Sequence, residues 1–579
     1  MGLTSALRIG QSALSASQLG VQVTGNNMAN VATPGYARRS LLLSPLESAD
    51  PSARFQPGNG VGPESLSRVI DEAVVARLRG QIARERDTNQ TLQSLSNLEA
   101  ALGELSDTGL TTQLTSYFGA WSDRSTLVAN NGIVVQQAQT LVSSIQRMRD
   151  DLVQQRVQTE GLLDDLVPRV DDLLEQVASI NQNVARAQVA GGDTASLRDQ
   201  RDRVLDELAG LIDIDTVERS SGALDIYVGS TPMVLAGQSR GIELSRQSVD
   251  GRVAISLRVR ADGTELPVRS GQVGALIAAR DNAVGGTIEQ LDQLAAELIF
   301  QTNKIHATAT GPEGLREATS QLRVPPNDRT LAINGPTNPS TSDLPFEITN
   351  GSFLVHVQGP GSTASQATRI AVDLDGLAND GSTSTLDDTS LESIRQALDA
   401  VDGLNADFTP DGRLRVRGEG GASFSFSEDS SGVLGAIGMN AFFEGSNGDD
   451  IAVRADIASD PSLLQVGRIG LDGEFRENAA TLEMANLQDV GFEAFGDRSF
   501  NSFWTSVAGN IGAQTDAAIT NAEAAAVVRE SIEAQRAAVS GVSLDEEAIN
   551  LVTYQQAYQG AARFIATVDQ LQQELLAIF

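Results

Sequence analysis

Three patterns predict an α+β multidomain fold: a terminal α-helical coiled-coil domain, an elongated α-helical rod domain and nested β-rich outer domains. Apolar residues repeat in heptads at both chain ends. They step by threes and fours through long flanking regions and by twos in the middle. At 579 residues the chain is too long for one hydrophobic core, so several domains are expected.

At the N-terminus Leu7, Leu14, Val21 and Met28 recur at sevens, and Leu3, Gly10, Ser17, Thr24 and Val31 fill the alternate seam. Glycine and serine make this stripe thin, so the helix needs a partner at close range. The C-terminus supplies one. There Leu544, Leu551, Tyr558, Ile565, Gln572 and Phe579 interleave with Tyr554, Ala561, Val568 and Leu575. Residues 1–40 carry Arg8, Arg38 and Arg39 and no acid, whereas 541–579 carry Asp545, Glu546, Glu547, Asp569 and Glu574 against Arg563. Such surface attraction is screened and selects partners more than it stabilises. Residues 1–40 with 541–579 therefore form the predicted coiled-coil domain.

After this helix comes GNNMANVATPGY, Gly25 to Tyr36. Pro34 disfavours helix at Thr33, Pro-Gly signals a turn, and Asn26, Asn27 and Asn30 can bond their own backbone as the helix loosens. With Asn27, Asn30, Thr33, Pro34, Gly35 and Tyr36, the stretch resembles the N-terminal signature of the bacterial flagellar axial proteins, the rod, hook and hook-associated subunits. GVSLDEEAINLVTYQQAYQGAARFIATVDQLQQELL, Gly541 to Leu576, resembles the matching C-terminal signature.

Residues 41–65 read as a polar connector with Pro45, Pro51, Pro57 and Pro63. Its GNGVG run lacks the lysine and preceding strand of a phosphate loop, so no nucleotide is expected. From Ile70 to Asp206 the pattern is helical: Leu92, Leu95, Leu98, Leu102 and Leu105; Leu141, Ile145, Met148 and Leu152; Leu162, Leu166, Val170, Leu173, Val177 and Ile180. Pro168 predicts a kink. YFGAW, Tyr117 to Trp121, interrupts the pattern and reads as an aromatic cap on a helix-pair core. The helical rod domain is drawn as 41–210 with 270–324 and 461–540.

Ser196 to Gln238 resembles a segment of the hook–filament junction branch of the family. Leu197, Val204, Leu205 and Leu208 face one side of this helix, while Arg198, Asp199, Arg201, Asp202, Arg203 and Asp206 crowd the other. That second face reads as an exposed one laced with ion pairs, not as catalytic carboxylates. The period then shifts to two at Leu224, Ile226 and Val228 and again at Val253, Ile255, Leu257 and Val259. Asp250-Gly251 and Asp262-Gly263 supply turns, giving a small β domain over 211–269. Gly271 to Leu315 returns to helix and also resembles the junction branch. Its Asn303 and His306 are expected to be a helix-end hydrogen-bonding pair, not a metal site.

Residues 325–460 read as a β-rich outer insertion with the turns Asp375-Gly376, Asp380-Gly381 and Asp411-Gly412 and one amphipathic helix, Leu391 to Val401. DLDGLANDGS, Asp373 to Ser382, has the look of a calcium loop but lacks the closing glutamate at its twelfth position, so no metal is expected.

Composition narrows the function classes. Zero cysteines exclude disulfides and thiolate chemistry, and a net charge of −33 argues against nucleic acid. No membrane span, cleavable signal peptide, cofactor or catalytic centre is expected, since neither His306 nor His356 follows a nucleophile-elbow sequence. The family resemblance implies a structural subunit at the hook–filament junction, exported unfolded to the extracellular flagellum by the type III path. It implies a helical homo-oligomer in contact with hook protein and a second junction protein, and an export chaperone on the C-terminal helix. The expected assembly interface is Leu3, Leu7, Leu14, Val21 and Met28 with Leu551, Tyr554, Tyr558, Ala561, Ile565, Val568 and Leu575. Another axial protein, or a secreted peptidoglycan hydrolase on an axial scaffold, is the alternative.

Overall fold

The computed structural model describes residues 2–46 and 58–578 except 105, 107, 127–129, 191, 250–251, 343, 347, 363–364, 378–382 and 386. Leu105, Phe579 and the Asp250-Gly251 and Asp380-Gly381 turns lie outside the described residues, as do Pro51 and Pro57.

The chain runs α1 (Gly2–Ala29), β1 (Arg39–Pro45), β2 (Val61–Arg68), α2 (Glu72–Leu102), α3 (Leu110–Thr126), α4 (Asn131–Val189) and α5 (Ala195–Leu211). Six short strands follow: β3 (Asp215–Glu218), β4 (Leu224–Val228), β5 (Thr231–Leu235), β6 (Gln238–Ser239), β7 (Ile242–Val249) and β8 (Arg252–Val259). After α6 (Gly271–Ala278), a π turn (Ala279–Val284) and α7 (Gly285–Ala307) come β9 (Glu317–Arg323), β10 (Gly351–Gln358), β11 (Ser365–Val372), α8 (Leu391–Asp399), β12 (Leu404–Phe408), β13 (Arg413–Gly418) and β14 (Ser423–Ser427). The chain closes with the short α9 (Val433–Ala436), α10 (Ala455–Ser459) and α11 (Ala479–Asn486), then α12 (Phe500–Ser540) and α13 (Leu544–Ile578). The fold is α+β and multidomain, with helix dominant and strands confined to small antiparallel sheets.

Two compact units result. The first comprises Met1–Ser94, Gln158–Arg280 and Asp516–Phe579. Its core joins Val170, Leu173 and Val177 of α4 and Leu205 and Leu208 of α5 to Ile226, Val228, Leu257 and Val259 of the strands. The strands expected to make a separate small β domain over 211–269 thus share one core with α4, α5 and α6. The physical reason is size: the sheets β3-β4-β5-β6 and β7-β8 are too small to bury a face alone. Helix α4 runs without a break through Pro168. Leu163, Val167, Val170 and Leu173 around it are all buried, and that packing outweighs the helix penalty of proline. The connector expected over 41–65 ends in strands: β1 pairs antiparallel with β2 from Arg39↔Arg68 to Pro45↔Val61, with a bulge at Leu42/Leu43.

The second unit comprises Leu95–Val157 and Asp281–Thr515. Tyr117, Phe118 and Trp121 lie inside α3, where the sequence suggests an interruption, and are buried to 1 % exposure or less. Their rings meet Phe443, Phe500 and Phe442 at centroid distances of 5.8, 5.7 and 5.7 Å. Aromatic pairs at such separations add to the gain from burial. The β-rich part starts before the expected boundary at 324/325. Strand β9 pairs with β13 through Ala318↔Val416 and Glu317↔Arg417, and Leu315 exchanges backbone hydrogen bonds with Phe424 at 2.7 and 2.8 Å. The local composition break falls after β9, but β13 needs β9 as its second neighbour, so the sheet sets the edge.

Asn303 and His306 near the end of α7 each bond the segment 440–443. The Asn303 side-chain oxygen accepts from the N–H groups of Phe442 and Phe443, both at 2.9 Å, and its amide donates to the Phe443 carbonyl. His306 Nδ1 donates to the Asn440 carbonyl at 2.6 Å, and its Nε2 accepts from Gln465 N–H. Burial, aided by Arg454, pushes the His306 pKa down to about 4. The folded state therefore holds the neutral ring, and its contribution is full above the unfolded value near 6.5. As pH falls from there toward 4, the unfolded chain takes up the proton first and stability drops, by about 3 kcal/mol in all. Urea unfolding of the second unit should show this loss between pH 6.5 and 4.5 in the wild type, in excess of that in His306→Gln. Equal slopes in the two proteins would refute it.

No described helix is long and apolar enough to cross a membrane.

Candidate functional site at the paired termini

Within the first unit α1 and α13 pack antiparallel, so that Gly10 meets Ile565, Gly20 meets Tyr554 and Asn27 meets Glu547. The seam on α1 is made of small groups. Gly10, Ala16, Ser17, Gly20 and Thr24 are buried, while Leu3, Leu7, Leu14, Val21 and Met28 are half-buried beside them. A Cβ on Gly10 would stand 2.6 Å from Ile565 Cγ1, and one on Gly20 would stand 2.5 Å from the Tyr554 ring. The missing side chains are what let the larger residues of α13 seat against the helix backbone. On α13, Ala561 and Val568 are buried and Leu551, Tyr554 and Ile565 half-buried, whereas Tyr558 (40 %) and Leu575 (50 %) remain exposed. Phe564, Leu571 and Leu575, spaced by seven and four, form an exposed apolar row flanking the buried one.

Where α1 ends, the pairing becomes polar. Asn27 and Glu547 are each 1 % exposed. The Asn27 amide donates to Glu547 Oε2 at 3.0 Å and to the Arg39 carbonyl at 2.9 Å. Its oxygen accepts from Tyr36 O–H at 2.9 Å and Arg39 N–H at 3.0 Å. All four hydrogen-bonding positions of the amide are filled, as burial demands. Arg38 Nε donates to Glu547 Oε1 at 2.8 Å, and Arg38 N–H donates to the Ser540 carbonyl. The turn of Gly25 to Tyr36 brings Tyr36 back onto Asn27, and Gly35 takes φ +76° to allow it. Burial pushes the Tyr36 hydroxyl pKa up, an effect that Arg39 partly offsets. Asn30, Thr33 and Pro34 serve only the turn: Asn30 donates to Asn26 and accepts from Thr33, on the exposed side.

From this hub an alternating ladder of charges runs across the first unit. Arg39 pairs with Asp199 at 3.5 Å and Arg68 with Asp199 at 2.9 Å. Arg68 and Arg79 then share Asp202, Arg79 pairs with Asp206 at 3.0 Å, and Arg536 of α12 closes the series on Asp206 at 3.2 Å. Although burial opposes it, the Arg68 and Arg79 guanidiniums hold the Asp202 carboxyl below its ordinary pKa; at Asp199 burial wins and the pKa rises. The Arg–Asp face of α5, expected to be exposed, is therefore covered. Asp199 (6 %) is covered by Arg39 and Arg68, while Arg201 (2 %) is buried by donating to the Asn181 side-chain oxygen and the Gly222 carbonyl. Glu547, Arg38 and the ladder escape sequence reasoning as site residues, since Asn27 and Glu547 stand 520 positions apart. The opposed charge of the two termini was the only local signal.

Comparison with known proteins matches this architecture segment by segment. Residues 95–318 fit the model of the flagellar hook-associated protein FlgK helical domain. Residues 7–36 fit that of the flagella basal body rod protein, and 532–578 that of the flagellar basal body rod FlgEFG protein C-terminal region. Flagellar hook-associated protein 1 of Salmonella typhimurium is 24 % identical over 602 residues, covering all of both chains. Along its whole length the chain is similar to the flagellar hook-associated proteins. Flagellar hook-associated protein 1 of Bacillus subtilis is likewise 24 % identical, over 99 % of this chain and 96 % of its own. A solved structure, the flagellar hook junction protein FlgK from Burkholderia pseudomallei, superposes with a TM-score of 0.48 at 15 % identity, over 80 % of this chain and all of that one. The rod-type matches fall on α1 and α13 and thus on the paired helices described above.

Proposed function

We propose that this chain is a non-enzymatic subunit of the bacterial flagellum that joins hook to filament and assembles with its own copies through α1 and α13. One observation carries the reading. The terminal helices pair through a small-residue seam and still leave the row of Phe564, Leu571 and Leu575 exposed on α13. A paired hairpin with a second apolar edge suits the wall of a helical tube, in which each subunit covers its neighbour's edge. Hook protein is the neighbour on the cell side, a second junction protein the neighbour on the filament side. Before assembly the same row is the surface for an export chaperone, and export proceeds unfolded without a cleavable signal. The buried hub of Asn27, Tyr36, Arg38 and Glu547 locks the two helices together where α1 ends.

A strain deleted for this gene is expected to make hooks without filaments and to shed flagellin into the medium. Normal filaments on such cells would end the reading.

A further inference from the structure

The β-rich part of the second unit holds a cluster that the assembly reading does not use. Asp373 and Asp375 follow β11, and Asp388 precedes α8. One carboxylate oxygen from each lies within 4.8 Å of the other two. The two segments are tied together: Asp373 N–H donates to Thr389 Oγ1 at 2.8 Å, and Thr389 N–H donates to the Asp373 carbonyl at 2.7 Å.

A second observation comes from Asp388, which is only 6 % exposed. Its Oδ2 accepts from the Asn334 amide at 2.7 Å, but its Oδ1 is buried and has no hydrogen-bond partner. Among the described residues no arginine or lysine forms an ion pair with any of the three aspartates. A buried carboxylate oxygen without a donor costs free energy, and two neighbouring carboxylates add repulsion. A cation relieves both.

The donor chemistry selects the cation. Oxygen donors alone, with neither imidazole nor thiolate, favour a hard ion. Calcium accepts six to eight oxygen ligands in flexible geometry and is held by carboxylates directly, whereas magnesium demands a near-ideal octahedron and keeps several of its waters. The geometry points to a calcium site formed by Asp373, Asp375 and Asp388. The sequence directs attention to a closing glutamate twelve positions into the run, where Ser384 stands. In the fold the third carboxylate comes instead from Asp388, placed by the start of α8.

Three carboxylates on a partly open site give an affinity on the order of 0.1–1 mM, in the range of extracellular calcium modules. The test is calorimetric titration of the full chain with calcium chloride, paralleled by magnesium chloride and by terbium luminescence with calcium displacement. Saturable binding of one calcium, stronger than magnesium and weakened at least about tenfold in both Asp388→Asn and Asp375→Asn, is expected. Asp375 is exposed, so its substitution leaves folding intact. Absence of saturable binding up to about 10 mM, or unchanged affinity in Asp375→Asn, overturns the assignment. Binding that neither variant alters places the ion elsewhere on this acidic surface and overturns it equally.

Discussion

Asn27→Leu is expected to destabilise the terminal pair by about 3–5 kcal/mol, although leucine is close to asparagine in size. The loss is of partners, not of volume. The Tyr36 hydroxyl, the Arg39 N–H and carbonyl, and Glu547 Oε2 all give up a hydrogen bond in a region where Asn27 and Glu547 are almost fully shielded from water. Each buried polar group left without a partner costs about 1–3 kcal/mol, and Glu547 keeps only Arg38 as compensation. The substitution should lower the melting temperature of the first unit and raise hydrogen exchange along α1 and α13. Asn30→Ala, three residues on, should change stability by less than about 0.5 kcal/mol, because Asn30 works at the surface. Equal effects from the two substitutions would show that the signature asparagines act as turn formers alone.

Ile565→Asp is expected to abolish incorporation into the axial assembly while leaving a soluble chain. Ile565 seats in the space that Gly10 leaves open, so an aspartate there would set its charge against the backbone of α1. An unpaired charge in such a contact costs several kcal/mol, more than two thin-striped helices recover elsewhere along the seam. The second unit contains no residue of α13, and its Phe-rich core should unfold as in the wild type. Co-sedimentation with isolated hooks is the assay. Wild-type incorporation of the variant would remove Ile565 from the assembly interface.

How much of this was legible beforehand depends on the range of the interaction. Heptads at both ends, long three–four periodicity, period-two runs and Asp-Gly turns are local properties, so the α+β class and the terminal helices follow from the residues themselves. The signatures of Gly25 to Tyr36 and Gly541 to Leu576 pointed to the axial family for the same reason: each is contiguous. What the tertiary structure alone decided lies where distant segments meet. Heptad counting gave α1 two registers, one of leucines and one with Gly10, Ser17 and Thr24; the tertiary structure seats α13 on the small-residue one, where Tyr554 and Ile565 can approach the backbone. The charged face of α5 read as solvated, since nothing near it in sequence announces Arg39, Arg68, Arg79 and Arg536. Strand β9 belongs with the β-rich part because β13 pairs with it, and Asp388 joins Asp373 because α8 begins beside β11. Periodicity tells which residues seek burial; which partner buries them is settled by contacts across hundreds of residues, and a one-dimensional pattern carries no record of those.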